Sequence, residues 1–173
     1  MIQFRVLSVD DAERIREWRN EDLSMLRTPF LLTAAMQEDW YKREVSNREA
    51  RSRWWGIWHD CGDLQPEGPC WHHVGYAGLE SIEWENRRAE VSLLVAPSVR
   101  GHGVGRDAVD ELLRQAFVEI NLHSVHGLVY ECGPVQFWRK VLPPGTSWFG
   151  PIPSAKYTGG QYHGAWLFVV ERP

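Results

Sequence analysis

The chain has 173 residues, of which 43% are apolar and 24% charged, values close to the average for globular proteins. This composition excludes a disordered or fibrous protein. The length fits one domain or two very small ones, and the absence of a boundary, repeat or low-complexity linker in the sequence predicts a single domain over residues 1–173. Lysine and arginine total 19 against 23 acidic residues, so the net charge is −4, which excludes a global basic field for nucleic acid.

The N-terminal half predicts alternating strands and helices. Residues 2–9 alternate as a strand does, and Asp10 and Asp11 offer an N-cap for a helix that passes through Ile15 and Trp18. Thr33 is a second N-cap, which opens a helix reaching Val45. Strands are then predicted at residues 54–58, 71–83 and 89–96, and Pro97 ends the last of them.

The C-terminal half contains the clearest helix, because apolar residues recur at spacings of three and four from Val104 to Ile120. A strand at 124–130, a short helix at 134–141 and strand candidates at 148–152 and 165–170 follow. The strand–helix–strand unit from Ala89 to Tyr130 requires a right-handed parallel crossover. We therefore predict a mixed α/β (α+β) fold, with a mostly antiparallel central sheet, one parallel crossover and about four helices.

The sharpest motif is Arg100-Gly-His-Gly-Val-Gly105, between a strand and an amphipathic helix. Its glycines allow successive backbone N–H groups to converge on an anion, and the helix N-terminus adds its dipole. No Gly-Lys-Ser/Thr follows, which excludes a nucleotide-triphosphate loop, and the glycine spacing differs from the dinucleotide fingerprint. The motif predicts a pyrophosphate site.

Arg100-x-x-Gly103-x-Gly105 resembles the acyl-CoA loop of the GCN5-related N-acetyltransferases, the GNAT superfamily. The order of elements over residues 1–130 resembles the same family. Residues 17–21 and 33–40 are similar to its subgroup of ribosomal-protein and aminosugar-nucleotide N-acetyltransferases. The resemblance implies a GNAT-like domain that transfers an acetyl group from acetyl-CoA, as cosubstrate, to a primary amine by direct attack in a ternary complex.

The resemblance also implies residue roles. The pantetheine arm of acetyl-CoA is expected to bond to the strand at Leu94, Val95 and Ala96. Its pyrophosphate is expected on the loop, whose members are Arg100, Gly101, His102, Gly103, Val104, Gly105 and Arg106.

Glu90, at the start of the strand before the loop, is the candidate general base, with Glu80 and Glu83 as alternatives. Many family members place a tyrosine acid where this chain has Trp138, and an indole N–H is too weakly acidic for that role. The acid therefore stays open between Tyr130, Tyr157, Tyr162 and unassisted departure of the thiolate. The missing tyrosine motivates one alternative function, a catalytically inactive acyl-CoA-binding sensor or interaction module.

The resemblance implies that the acceptor amine is held by the first two helices and the hairpin near the C-terminus, so it is expected near Trp18, Trp40 and Trp166, three of the chain's 10 tryptophans. A peptide N-terminus, a lysine, an aminosugar nucleotide and a small amine all stay open as acceptors. A homodimer is a further expectation. A membrane partner is not expected, and neither is nucleic acid, although residues 42–53 carry a local basic cluster.

Three cysteines cannot all pair, which favours a reducing cytoplasm, and the N-terminal residues do not read as a signal peptide. A Cys61–Cys70 disulfide stays an alternative. Cysteine and histidine flank one loop at Cys61, Cys70, His72 and His73, but the spacing is not that of familiar zinc sites, so no metal is expected.

Overall fold

The fold is described by a computed structural model that covers residues 1–21, 23–24, 26–60 and 70–173. Within these residues one seven-stranded sheet forms, in the order β1-β2-β3-β4-β5-β7-β6. Its strands are β1 (Ile2–Arg5), β2 (Arg53–Asp60), β3 (Trp71–Glu83), β4 (Arg88–Val95), β5 (Ser124–Tyr130), β6 (Ser147–Thr158) and β7 (Gln161–Glu171). The helices are α1 (Val9–Glu21), α2 (Ala34–Trp40), α3 (Val104–Arg114) and α4 (Val135–Val141).

The predicted topology is confirmed. Every neighbouring strand pair is antiparallel except β4 and β5, which run parallel on either side of the α3 crossover. The strands at 71–83 and 124–130 have the predicted bounds, whereas β1 ends at Arg5 and the C-terminal hairpin is longer than expected. Helices α2 and α3 each continue through a π-helical turn, to Val45 and Glu119 respectively.

The first helix is capped by Ser8, so the prediction that Asp10 and Asp11 supply the cap was wrong. The Asp11 N–H donates to Ser8 Oγ at 3.2 Å, and the Ser8 N–H donates to Asp11 Oδ2 at 2.9 Å. This is a reciprocal capping box, in which Asp11 is the third-position partner. Thr33 caps α2 as predicted, accepting a hydrogen bond from the Met36 N–H at 3.3 Å.

The two faces of the sheet pack against different helices. Val91, Leu93 and Val95 of β4 join the main core with α3 and α4, in which Ala108 and Leu112 are almost fully buried. Leu94 points the opposite way because side chains alternate along a strand. It packs beneath α1 and α2 with Leu7, Ile15 and Tyr76, and with partly buried Trp18, Trp40 and Trp54.

The parallel pairing between β4 and β5 is short, and this feature creates the site. Its register runs only from Arg88↔Ser124 to Glu90↔His126, although both strands continue beyond that point. The far edge of β4 stays paired with β3 as far as Gly75↔Val95. Residues 91–95 therefore present one main-chain edge to the gap. No helix in the described part of the chain is both long and apolar enough to cross a membrane.

Candidate active site

A cavity of about 1150 Å³ occupies the gap between β4 and β5 and continues beneath α1 and α2. Its floor is residues 91–95 of β4, and residues 128–130 of β5 face them. At one end lies the glycine turn before α3, and at the other lie the helices of the N-terminal half. The cavity thus joins the anion site and the candidate base that the sequence predicts.

At the glycine turn, Gly101 and Gly103 have φ values of +84° and +86°, a region that L-residues with side chains rarely adopt. Gly103 is the N-cap of α3, so the N–H groups of the first helical turn have no intrahelical acceptor. Gly105 lies against α4, where a Cβ would come within 3.1 Å of the Phe137 ring. The turn therefore presents main-chain donors at a helix N-terminus, which is the geometry of a phosphate site.

The charge at this end is positive. Arg100, Arg106 and Lys140 line the cavity here, and the Arg100 Nε–H also donates to the Val95 carbonyl at 3.2 Å. These cations, the turn and the open edge of β4 fit a ligand that has a pyrophosphate and a long amide-bearing arm.

Not every predicted loop residue faces the cavity. Arg100, Gly101, Gly103, Gly105, Arg106, Leu94 and Val95 line it. Val104 is 1% exposed and belongs to the core, and His102 is exposed with its Nδ1 3.1 Å from the Arg100 carbonyl. The Ala96 N–H donates to the Val74 carbonyl at 2.8 Å, so that group is already bonded.

At the other end, Glu90 is joined by Glu80, its direct cross-strand partner in the β3–β4 register. Arg27, from the connection between α1 and α2 (residues 26–33), reaches both carboxylate oxygens of Glu90; its Nη1 lies 3.4 Å from Oε2. This contact raises the pKa of Arg27. Glu83, the other alternative base, pairs with Arg88 at 2.8 Å and does not line the cavity.

The environment of Glu80 is different. Burial raises the pKa of its carboxyl, and the hydrogen bond from the Ser92 hydroxyl partly offsets that effect. The negative charge of Glu90 raises it further, whereas Arg27 and Arg19 lower it. Glu80 and Glu90 are thus direct cross-strand partners with different neighbours.

The connection between α1 and α2 is held across this end of the cavity by side chains from several elements. Asn20 exchanges two hydrogen bonds with the backbone of Leu32, at 2.8 and 2.9 Å. Arg19 donates to the Thr28 hydroxyl at 2.9 Å. Lys156 of β6 donates to the Leu26 carbonyl, and its ammonium lies 4.9 Å from the centre of the Tyr130 ring.

The wall beneath α1 and α2 is aromatic. Trp40, Trp54 and Tyr76 form a mutually contacting group with ring centroids 5.1 to 6.3 Å apart, and Trp18 lines the cavity beside them. Among the described residues, Arg19 Nε, Gln37 Nε2 and Trp54 Nε1 are buried without a hydrogen-bond partner, and all three side chains belong to this wall.

Trp18 and Trp40 therefore lie where the sequence predicts, but Trp166 does not. Trp166 pairs with Val129 in the β5–β7 register, and its ring is covered by Arg139 of α4 at 4.8 Å. Val129 belongs to the core on the α3/α4 side, so Trp166 shares that face. Unlike Val129, Trp166 does not line the cavity.

The aromatic residues considered for the general acid lie in different parts of the structure. Trp138 is 9% exposed and packs on Phe168 with ring centroids 5.1 Å apart, so its ring is a core element at the cavity wall. The rings of Tyr157 and Tyr162 contact each other in a tilted arrangement at the exposed tip of the β6–β7 hairpin. Tyr130 lines the cavity.

The histidines and cysteines give no metal cluster within the described residues. His73 is buried against Asp11, with Nδ1 3.2 Å from Oδ1, whereas His72 is exposed and contacts Cys70 at 3.1 Å. Cys61, which the alternative disulfide would need, lies outside the described residues. In the basic cluster, Lys42 is paired with Glu38 at 2.7 Å and Arg43 with Glu44 at 3.0 Å.

A helix N-terminus with the geometry of a phosphate site, beside a strand edge open to an extended arm, fits an acyl-CoA-type ligand. The model of the acetyltransferase (GNAT) domain matches residues 2–132, more than half of the chain, so the chain belongs to the GNAT family. It is an N-acetyltransferase that uses acetyl-CoA as its cosubstrate.

Solved structures show the same fold at low sequence identity. The spermidine N-acetyltransferase from Vibrio cholerae in complex with CoA and spermine has a TM-score of 0.80 and 19% identity, covering 98% of this chain and 95% of that chain. A dodecameric form from the same organism has a TM-score of 0.76 and 20% identity, covering 98% and 93%. A chimera of the Vibrio cholerae enzyme has a TM-score of 0.78 and 20% identity, covering 98% and 95%. No curated protein matches the chain.

Proposed function

We propose that the protein transfers the acetyl group of acetyl-CoA to a primary amine by direct attack in a ternary complex. One observation carries the proposal: a single cavity joins the anion-binding turn before α3 to the facing carboxylates Glu80 and Glu90. Direct transfer needs both substrates in one volume, with a proton acceptor at their meeting point.

Acetyl-CoA would lie along β4, with its pyrophosphate on the turn from Gly101 to Arg106 and its arm against Leu94 and Val95. The positive side chains at that end match the charge of the phosphates, and the unpaired edge of β4 matches the amides of the arm. Acetyl-CoA supplies an acetyl group already activated as a thioester. The protein's contribution is to hold that group and to take the proton of the attacking amine.

The proton acceptor is a member of the pair formed by Glu80 of β3 and Glu90 of β4. The sequence-based choice is Glu90, with Glu80 as an alternative. Most primary amines are protonated at neutral pH, and an ammonium has no lone pair with which to attack a thioester. For the leaving group, Tyr130 is the one of the three candidate tyrosines (Tyr130, Tyr157, Tyr162) that lines the cavity, whereas Trp138 is a packing residue. A free thiol has a pKa of about 8.5, so the thiolate is also able to depart unassisted.

The wall under α1 and α2 supports an acceptor with an apolar or aromatic body. Three carboxylates (Asp39, Glu80, Glu90) and three guanidinium groups (Arg19, Arg27, Arg43) line this end, so the lining side chains have no net negative charge that would attract a polycation. Arg43 also pairs with Glu44, outside the lining. The unpartnered donors of Gln37 and Trp54 favour an acceptor that also carries oxygen atoms. A peptide N-terminus and an aminosugar nucleotide both meet these requirements.

A panel of amines tests the proposal. Purified protein is incubated with acetyl-CoA and, separately, a dipeptide amide, an aminosugar nucleotide, 2-phenylethylamine or spermidine, and release of the CoA thiol is followed. We expect the highest kcat/KM for an acceptor with oxygen atoms near its amine. A preference for spermidine over the other amines contradicts the acceptor class. Binding of acetyl-CoA without turnover of any amine contradicts the function.

Homo-oligomerisation stays a prediction. A sedimentation-equilibrium mass equal to that of one chain at micromolar concentration would contradict it.

A further inference from the structure

Glu80 and Glu90 face each other across β3 and β4 but have different partners. They are direct partners in the antiparallel register, and both line the cavity. Side chains directly opposite each other on one face have Cβ atoms about 5 Å apart. One amine held at this point can therefore reach either carboxylate, and the neighbours of each decide its role.

The Glu90 carboxylate already forms an ion pair with Arg27. Arg27 approaches both of its oxygens, and a guanidinium keeps its positive charge at every pH relevant to the enzyme. An incoming ammonium would have to displace this contact before it could deliver a proton to Glu90. The same contact fixes the connection between α1 and α2 over the acceptor end of the cavity, so Glu90 already has a structural task.

Glu80 is available. The Ser92 hydroxyl donates to its Oε1, and among the described residues no lysine or arginine forms an ion pair with it. Burial gives this carboxyl a raised pKa, which brings its proton affinity closer to that required of a base near neutral pH. Environments that separate two neighbouring carboxylates often divide their roles in this way.

We propose that Glu80 is the catalytic proton acceptor, and that Glu90 is a positioning residue that acts through Arg27. The inference rests on the proposed function and deepens it. The ammonium passes one proton to the Glu80 carboxylate, and the free amine nitrogen then attacks the thioester carbon and forms the C–N bond. The C–S bond breaks, and the second proton of the nitrogen passes to the CoA thiolate, directly or through water, which yields the amide and free CoA thiol. Glu80 releases its proton to solvent, which restores the base.

The experiment compares Glu80→Gln, Glu90→Gln and Arg27→Gln, with Glu85→Gln in the exposed β3–β4 turn as the matched control. Glu80→Gln is expected to lower kcat by about 100-fold or more, the usual contribution of a general base, while the Kd for acetyl-CoA stays within about twofold. Because the wild-type enzyme loses its base on protonation, the ratio of wild-type to Glu80→Gln activity should shrink as the pH falls. Because both enzymes are assayed with the same acceptor, the fraction of deprotonated amine is the same for both at each pH and does not affect the ratio.

Glu90→Gln and Arg27→Gln should instead raise the KM for the amine and retain an acid limb. The limb should move to lower pH in Glu90→Gln and to higher pH in Arg27→Gln, because the charge of Glu90 raises the pKa of Glu80 and that of Arg27 lowers it. The double variant should be no worse than either single variant, because both remove the same contact. Ser92→Ala removes a hydrogen bond that favours ionised Glu80, so it should move the acid limb to higher pH, which a merely structural role would not do.

Two results overturn the inference. If Glu90→Gln abolishes the acid limb while Glu80→Gln retains it, Glu90 is the base. If Ser92→Ala leaves the limb in place, Glu80 does not generate it. A wild-type protein that binds acetyl-CoA but acetylates no amine refutes the proposed function, and the inference with it, and that result is distinct from both others.

Discussion

Replacing Gly103 by alanine tests the glycine turn at a position where nothing but backbone conformation changes. Its φ is +86°, and a Cβ built there meets no atom within 4 Å, so the methyl group itself causes no collision. The left-handed conformation costs a residue with a Cβ about 1–2 kcal/mol. The Gly103 carbonyl accepts hydrogen bonds from the Arg106 and Asp107 N–H groups at 2.9 and 3.2 Å, as a helix N-cap does. We expect the exposed turn of the variant to relax without ligand and to be strained again on binding.

The cost of the left-handed conformation should therefore weaken the binding of acetyl-CoA. A cost of about 1–2 kcal/mol corresponds to a factor of about 5–30, so the Kd for acetyl-CoA should rise by that factor in isothermal titration calorimetry. Gly145→Ala is the matched control, because Gly145 has φ +93°, an equally open Cβ position and no place in the cavity lining. It should leave the Kd unchanged. Wild-type affinity in Gly103→Ala would refute the assignment of this turn as the pyrophosphate site.

Three further predictions concern stability, measured by denaturant unfolding. Trp138→Ala should lower the unfolding free energy by about 3–5 kcal/mol, because its ring packs on Phe168 in the core; a loss below about 1 kcal/mol would contradict that packing. Burial lowers the pKa of His73, so the unfolded chain takes up a proton more readily than the folded one and stability falls as the pH drops below about 6.5. His73→Gln should reduce this loss, while His72→Gln, at an exposed position, should retain it. The raised pKa of Glu80 gives stability that is present below pH 4.5 and lost as the pH rises through the folded value. Glu80→Gln should therefore be more stable relative to wild type at pH 8 than at pH 4, and an equal difference at both would contradict the burial of this carboxyl.

Local patterns were enough to predict the parts of the fold that local physics controls. The apolar spacing that begins at Val104 defines α3, and the glycines from 101 to 105 mark the turn before it, in which Gly101 and Gly103 have positive φ. The first helix shows a limit of the same reasoning. Asp10 and Asp11 are good cap residues by type, but Ser8 takes the cap and Asp11 completes a reciprocal box with it.

The acceptor end depended on contacts between distant residues, which the sequence alone does not display. Glu80 faces Glu90 only because the β3–β4 register, with its irregularity between Glu80 and Glu83, places them opposite each other. Arg27 reaches Glu90 from 63 residues away. Trp166 was assigned to the acceptor end, but the pairing of β7 with β5 turns its ring toward α4.

The most direct test of the central claim is single-turnover acetyl transfer by the wild type and by the Glu80→Gln/Glu90→Gln double variant, both preloaded with acetyl-CoA. The best amine of the panel is added, and the acetylated amine is identified by mass spectrometry. Wild-type protein should convert bound acetyl-CoA to acetylated amine and free thiol in equal amounts, while the double variant should bind acetyl-CoA with similar affinity and form product about 100-fold more slowly or worse. Equal rates of product formation by the two proteins would contradict a carboxylate-assisted transfer in this cavity.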